Sequence, residues 1–130
     1  TTGMTILYVD DDREDYEVFP EALNHLSPSS NCVWADSCTQ ALKVLEGKKL
    51  PDYLFLDSIM PGEGGLDCVR RIRAEKRLKN ITIVIYTGMI PEHDKILYRD
   101  FGVELFWKKT NTFNELVTIL SSIFPKDKDA

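Results

Sequence analysis

Asp52-Tyr-Leu-Phe-Leu-Asp57-Ser-Ile-Met-Pro61-Gly-Glu-Gly-Gly65 joins a short apolar run, one acid and a turn rich in proline and glycine. The run Tyr53–Leu56 is too short for a buried helix and is bounded by turn signals, which predicts a strand covered on both faces. Asp57 falls where that run ends. Open parallel sheets bind ligands beyond the carboxyl ends of their strands. An acid there becomes a candidate for chemistry if other strands bring reactive groups to the same edge.

Working outward from this stretch, strands and helices alternate. Upstream, Thr5–Val9 reads as a first buried strand that stops abruptly at Asp10, Asp11 and Asp12. Arg13–Leu26 follows with Tyr16, Phe19, Leu23 and Leu26 near helical spacing, Asp12 as N-cap, and Pro20 expected to kink the helix or delay its start. Cys32–Ala35 is a second strand and Ser37–Glu46 a short helix with Gly47 as C-cap. Downstream, Leu66–Leu78 reads as an amphipathic helix whose Arg70, Arg71, Arg73, Glu75, Lys76 and Arg77 face water. Ile81–Tyr86 is the clearest strand and ends in Thr87-Gly88. A helix runs from Pro91 to Phe101 with Gly102 as its left-handed cap, and Val103–Trp107 forms a fifth strand before Lys108 and Lys109. Thr112–Phe124 is a last helix with Thr112 and Glu115 in capping-box spacing, and residues 125–130 read as a frayed tail.

Five strand–helix alternations predict a parallel sheet between two helical layers, a three-layer αβα sandwich; the flavodoxin-like strand order 2-1-3-4-5 is expected by analogy with open sheets of this kind. Residues 1–130 form one domain in this reading, with an ordered core of about 4–124. A net charge of −5 and the lack of a long basic run disfavour nucleic-acid binding. No apolar stretch approaches a membrane span and no signal peptide opens the chain, so the expected setting is the cytoplasm. Cys32, Cys38 and Cys68 are odd in number and lack C-x-x-C spacing; they read as reduced thiols that mostly fill the core. With only His25 and His93 present, a histidine metal centre is not expected.

The strand ends converge. Asp10 and Asp11 follow the first strand, Asp57 the third, Thr87 the fourth and Lys109 the fifth, and the strand order brings the first and third together. Clustered carboxylates raise one another's pKa unless a cation joins them. An all-oxygen, open site suits Mg²⁺, which often completes its shell with phosphate oxygens. Lys109 offers a fixed positive charge and Thr87 a hydroxyl. Together they could hold a phosphoryl group in transfer to an Asp57 oxygen.

These pieces resemble the CheY-like receiver domain of two-component response regulators over nearly the whole chain. The matching segments are Ile6-Leu-Tyr-Val-Asp-Asp11, Leu56-Asp57-x-x-Met60-Pro61 with Gly65 beyond, Thr87-Gly88, and Gly102-Val103 leading to Lys109. The resemblance implies that Asp57 accepts phosphate from a histidine kinase or a histidine phosphotransfer protein. It implies that Asp11, Asp57 and the Ile59 carbonyl ligate Mg²⁺, with Asp10 acting through a water. It also implies that Thr87 and Lys109 bind the phosphoryl group, and that Phe106 reorients to remodel the face of the fourth helix, fifth strand and fifth helix. Phosphorylation-linked pairing of two copies through that face follows only by the same analogy.

Three residues depart from the family pattern. Thr110 stands where a proline is usual after the lysine, in a bond that is commonly cis. A cis bond to a non-proline costs about 2.5–4 kcal/mol, so either the bond is trans with a rearranged loop or strain is retained. Lys108 competes with Lys109 for the register, and strand alternation with the count from Gly102 favours Lys109. Phe106 replaces the usual tyrosine. Ile59 and Met89, two residues beyond Asp57 and Thr87, are expected to flank the path of attacking water.

Each residue also has a bland reading. Asp10–Asp12 alone would be a solvated turn, Thr87 a cap, Lys109 a surface charge, and Trp34 and Trp107 strand packing. Tyr98, Phe101 and Phe106 would form a partner face if exposed together. Too few residues follow the last helix for a second module, so the expectation is a stand-alone phosphoacceptor, not a turnover enzyme, which signals by contact with an unknown downstream protein or by phosphorelay. A phosphorylation-independent interaction module is the alternative. A haloacid dehalogenase-type phosphatase ranks far below, because Arg13-Glu14 follows the acids.

Overall fold

Parallel pairing joins β1 (Thr5–Val9), β2 (Asn31–Ala35), β3 (Tyr53–Leu56), β4 (Thr82–Thr87) and β5 (Leu105–Lys108) in the order β2-β1-β3-β4-β5. The computed structural model describes residues 3–110 and 112–124, so the expected tail at 125–130 lies outside the described residues. Helices α1 (Arg13–Leu26), α2 (Cys38–Val44), α3 (Gly65–Arg73), α4 (Glu92–Asp100) and α5 (Phe113–Ile123) make the connections. The three-layer fold expected from the alternation is borne out.

Side chains alternate across a strand, and here that divides the core in two. Leu7, Val9, Leu54, Leu56, Ile83 and Ile85 face α2, α3 and α4, where Ala41, Val69, Ile72 and Tyr98 meet them. Ile6, Tyr8, Phe55, Val84 and Tyr86 face α1 and α5 and pack on Phe19, Leu23, Leu116 and Leu120. Because both faces are covered, the central strands carry unbroken apolar runs. The polar exceptions come where the runs stop. Register does the rest: Val9 lies beside Leu56 and Thr87 beside Lys108, so successive strands end level with one another.

Helix boundaries follow local chemistry. The Asp12 carboxylate accepts the Glu14 N–H at 2.9 Å and the Thr112 hydroxyl accepts the Glu115 N–H at 3.1 Å. Pro20 sits inside a continuous α1. Gly102, at φ +79°, ends the turn after α4. The C-cap expected at Gly47 is Leu45 instead, in right-handed geometry, so no left-handed residue is needed.

The helix expected over 66–78 stops at Arg73, because Glu75 is extended at φ −96°, ψ 119°; a 3-10 turn covers Lys76–Leu78. Two arginines read as water-facing are bound to backbone. The Arg73 guanidinium donates to the carbonyls of Phe101, Leu78, Lys79 and Ile81 at 2.9–3.2 Å. Arg77 donates to Leu45 and Gly47 at 2.6 and 2.8 Å. These contacts leave Arg73 half-buried, while Arg77 stays exposed as expected.

The cysteines need a correction as well. Cys38, at the start of α2, and Cys68, in α3, form a disulfide with their Cα atoms 5.7 Å apart. The two helices share one face of the sheet, which brings together residues 30 positions apart. Cys32 is the free cysteine, and burial pushes its thiol up to about 12 despite an opposing hydrogen bond with Tyr16. Native, unreduced protein should therefore react slowly with Ellman's reagent at neutral pH, since the thiolate is the nucleophile. In denaturant one thiol per chain should titrate, and all three after reduction. Three thiols before reduction would show the pair to be open.

Candidate functional site

Asp57 is the first residue past β3, and its backbone N–H donates to the Val9 carbonyl at 3.0 Å, continuing the ladder into the site. The residue is 8% exposed. Its Oδ1 accepts the Thr87 hydroxyl at 2.8 Å and the Ile59 N–H at 3.1 Å; its Oδ2 accepts the Lys109 ammonium at 3.0 Å. Thr87 is the last residue of β4 and 1% exposed. Three separate segments thus orient one carboxylate.

Asp10, at the end of β1, is 1% exposed. It accepts the Asp12 N–H at 3.0 Å and the Tyr8 hydroxyl at 3.3 Å, and it pairs with Lys109 at 2.7 Å. Burial raises its pKa above the ordinary carboxylate value, against the pull of Lys109 and the Asp12 N–H. The Trp34 indole N–H donates to the Asp10 carbonyl at 2.8 Å, so Trp34 fixes the strand end in addition to packing. Asp11 is exposed beside them. Asp10, Asp11 and Asp57 each offer a carboxylate oxygen within 4.8 Å of the others'. Such an open, oxygen-only donor set fits a hard divalent cation better than a soft one.

Lys109, one residue past β5, reaches into this cluster, whereas Lys108 is exposed. Its ammonium lies 2.7 Å from Asp10, 2.7 Å from Asp15 and 3.0 Å from Asp57. Burial alone would lower its pKa, but these three carboxylates outweigh burial and raise it above the ordinary lysine value. Lys109 is a permanent cation at neutral pH. The Lys109–Thr110 peptide is trans, like every described bond, which settles the alternative left open by the missing proline. The Lys109 N–H donates to the Thr87 carbonyl at 2.8 Å.

Phe106 stands apart from the carboxylates. It packs edge-to-face on Tyr98, ring centres 6.0 Å apart, with the Lys95 and Arg99 cations 5.9 and 5.3 Å from its ring centre. An open cleft of about 310 Å³ lined by Thr87, Met89, Ile90, Lys95 and Phe106 separates it from the site. Tyr98 is buried, so Tyr98, Phe101 and Phe106 are not exposed together; Ile96 and Leu97 are the exposed apolar residues of α4. Ile59 and Met89 are 67% and 72% exposed.

Sequence reasoning missed Asp15 and Ser58. Asp15 looked like one more acid in the first turn of α1, but a residue three past the Asp12 N-cap returns to the cap's side of the helix. That spacing was the available signal. The Ser58 hydroxyl lies 2.9 Å from the Thr87 hydroxyl, and its adjacency to Asp57 was the only hint.

Residues 6–121 match the family described as the response regulator receiver domain. The chain is 31% identical to the chemotaxis protein CheY of Pseudomonas aeruginosa, over 95% of this chain and 98% of that one. It is 30% identical to the phosphate regulon transcriptional regulatory protein PhoB of the same organism, over 98% of this chain and 56% of PhoB; the chain thus spans about half of that longer relative. The crystal structure of the phosphorylated cyanobacterial phytochrome response regulator RcpA superposes with a TM-score of 0.82 at 24% identity, covering 94% of this chain and 91% of that chain. At that identity the superposition speaks for the fold. No described helix is long and apolar enough to cross a membrane.

Proposed function

The chain belongs to the response regulator receiver domain family, a family of signalling phosphoacceptors, and on that premise we propose that Asp57 is its phosphoacceptor. An Asp57 carboxylate oxygen attacks phosphorus in line, the bond from phosphorus to the phosphohistidine nitrogen breaks, and an acyl phosphate forms. The observation that carries this reading is the three-sided hold on Asp57 by Thr87, the Ile59 N–H and Lys109. These donors limit the rotation of the nucleophile before the donor arrives.

Each neighbour then has a task. Lys109 already balances the carboxylates and would do the same for the phosphoryl oxygens. The Thr87 hydroxyl would turn from Asp57 to a phosphoryl oxygen. Asp11, Asp57 and the Ile59 carbonyl would hold Mg²⁺, with Asp10 acting through a water. When bound, Mg²⁺ supplies positive charge to the transferring phosphoryl oxygens. Movement of Thr87, which lines the same cleft as Phe106, would pass to the α4–β5–α5 face through packing, since Phe106 has no hydroxyl. We place the domain in the cytoplasm, receiving phosphate from a sensor histidine kinase or a histidine phosphotransfer protein. It would act on a downstream protein, or on a second copy of itself, without turning over substrate. Cytoplasmic reductants would favour the Cys38 and Cys68 thiols over their disulfide.

The test is an intact mass after incubation with Mg²⁺ and phosphoramidate. One added phosphoryl group supports the reading, and no adduct leaves a phosphorylation-independent interaction module. Steady phosphate release with turnover would point to a phosphatase. A second measurement addresses lifetime. Apolar Ile59 and Met89 offer no hydrogen bond to an incoming water, so Ile59→Asn combined with Met89→Glu should speed loss of the phosphoryl group roughly tenfold, a barrier change of about 1.4 kcal/mol. An unchanged decay of the phosphorylated mass would remove both residues from the water path.

A further inference from the structure

Lys109 is useful only where its ammonium falls, and it is the first residue past the end of β5. Two kinds of tie hold it there. Two consecutive backbone N–H groups are tied to two consecutive residues of β4. The Lys109 N–H donates to the Thr87 carbonyl at 2.8 Å, and the Thr110 N–H donates to the Tyr86 side-chain hydroxyl at 3.2 Å. The Thr110 hydroxyl lies 3.5 Å from the same phenol oxygen. The first tie continues the sheet. The second is made by a side chain, which can be altered without touching the ladder.

Tyr86 is built to hold its hydroxyl in place. Its side chain is buried on the α1–α5 side, with ring centres 6.4 Å from Tyr8 and 6.3 Å from Phe55. A rigid ring in a packed aromatic cluster gives the oxygen at its tip little freedom. A small cleft of about 50 Å³ lined by Asp15, Val18, Tyr86, Lys109, Thr110, Thr112 and Leu116 lies beside the loop. Packing there is incomplete, so the hydrogen bond carries more of the restraint. Thr110 can accept this hold because it has an N–H, which a proline would lack.

We propose that Tyr86 is a positioning residue for Lys109: its hydroxyl anchors the Thr110 peptide and so sets where the Lys109 ammonium meets Asp57. Tyr86 touches none of the reacting atoms and acts through the loop. The inference rests on the assignment of Asp57 as phosphoacceptor. It has a consequence that a simple packing role does not share. A loosened Lys109 competes less with a divalent cation for Asp10 and Asp57, so metal affinity should hold or tighten while phosphoryl transfer slows.

The experiment compares Tyr86→Phe with the parent chain by three readouts: phosphorylation rate with phosphoramidate and Mg²⁺, Mg²⁺ affinity from tryptophan fluorescence, and Tm. Phenylalanine keeps the ring and removes only the oxygen. The phosphorylation rate should fall about five- to twentyfold, the Mg²⁺ dissociation constant should stay within about twofold or decrease, and Tm should drop by no more than about 5 °C. An unchanged rate overturns the inference. So does a rate that falls in step with Mg²⁺ affinity, because that pattern is general loosening of the site. If the parent chain takes up no phosphoryl group at all, it is the assignment of Asp57 that fails.

Discussion

Asp57→Asn takes up no phosphoryl group from phosphoramidate and Mg²⁺, a rate loss of at least about 100-fold, while the protein stays folded. An amide oxygen is a far poorer nucleophile than a carboxylate, and no other acid is held by both Thr87 and Lys109 among the described residues. The substitution is gentle on the fold, since the amide keeps an oxygen for the Thr87 hydroxyl and the Ile59 N–H. It also removes one charge from a crowded set. Asp10, Asp15 and Asp57 share the Lys109 cation, with Asp11 alongside. Relief of that repulsion offsets the lost pairing with Lys109, so the metal-free Tm should equal or exceed that of the parent. Added Mg²⁺ should separate the two proteins again. A ligand at 100 times its dissociation constant stabilises the folded state by about 2.7 kcal/mol, and the variant, one ligand poorer, should gain less. Intact mass and thermal melts with and without Mg²⁺ make the comparison. A phosphoryl adduct that persists in Asp57→Asn would place the acceptor elsewhere.

Gly65→Ala destabilises the domain by about 2–3 kcal/mol, a fall in Tm of roughly 10 °C. A Cβ on Gly65 would lie 2.6 Å from the Tyr98 hydroxyl, 2.7 Å from the Ser58 Cα and 3.0 Å from the Asp57 carbonyl oxygen. Two of those atoms are backbone and cannot swing aside. Relief therefore moves the peptide that carries Asp57, so phosphorylation should slow beyond what lost stability explains. Gly64→Ala is the control. Its nearest neighbour is the Ser58 carbonyl at an ordinary 3.5 Å, and its φ of −73° suits any residue. Equal melting temperatures for the two variants would show that the β3–α3 turn yields more than its contacts imply.

How much of this could be read from the chain depends on the range over which each signal acts. The layered parallel sheet followed from alternation and its strand order from fold analogy, and Asp10, Asp57, Thr87 and Lys109 were found because each stands where an apolar run stops. That is a local mark with a global meaning. Asp15 left no such mark, since an acid in a first helical turn has its own explanation in the helix dipole. Arg73 was misjudged for a similar reason. Charge on a helix reads as solvated until the carbonyls of Phe101 and Ile81 come within reach. The Cys38–Cys68 bond lay beyond sequence altogether, because it depends on how α2 and α3 sit on the sheet and not on spacing. The end of α3 at Arg73 turned on Glu75 adopting an extended backbone, where composition favoured continuing the helix.

The four carbonyls gathered by Arg73 give α4 a fixed end. Phe101, immediately past that helix, is held through its carbonyl to the close of α3 and to the segment entering β4. At the other end, Pro91 caps α4 without a side-chain hydrogen bond, after the exposed Met89. A helix pinned at its far end would pivot there as a lever. Small displacements at Thr87 would then emerge as an arc swept by Ile96 and Leu97, with Arg73 as the fulcrum.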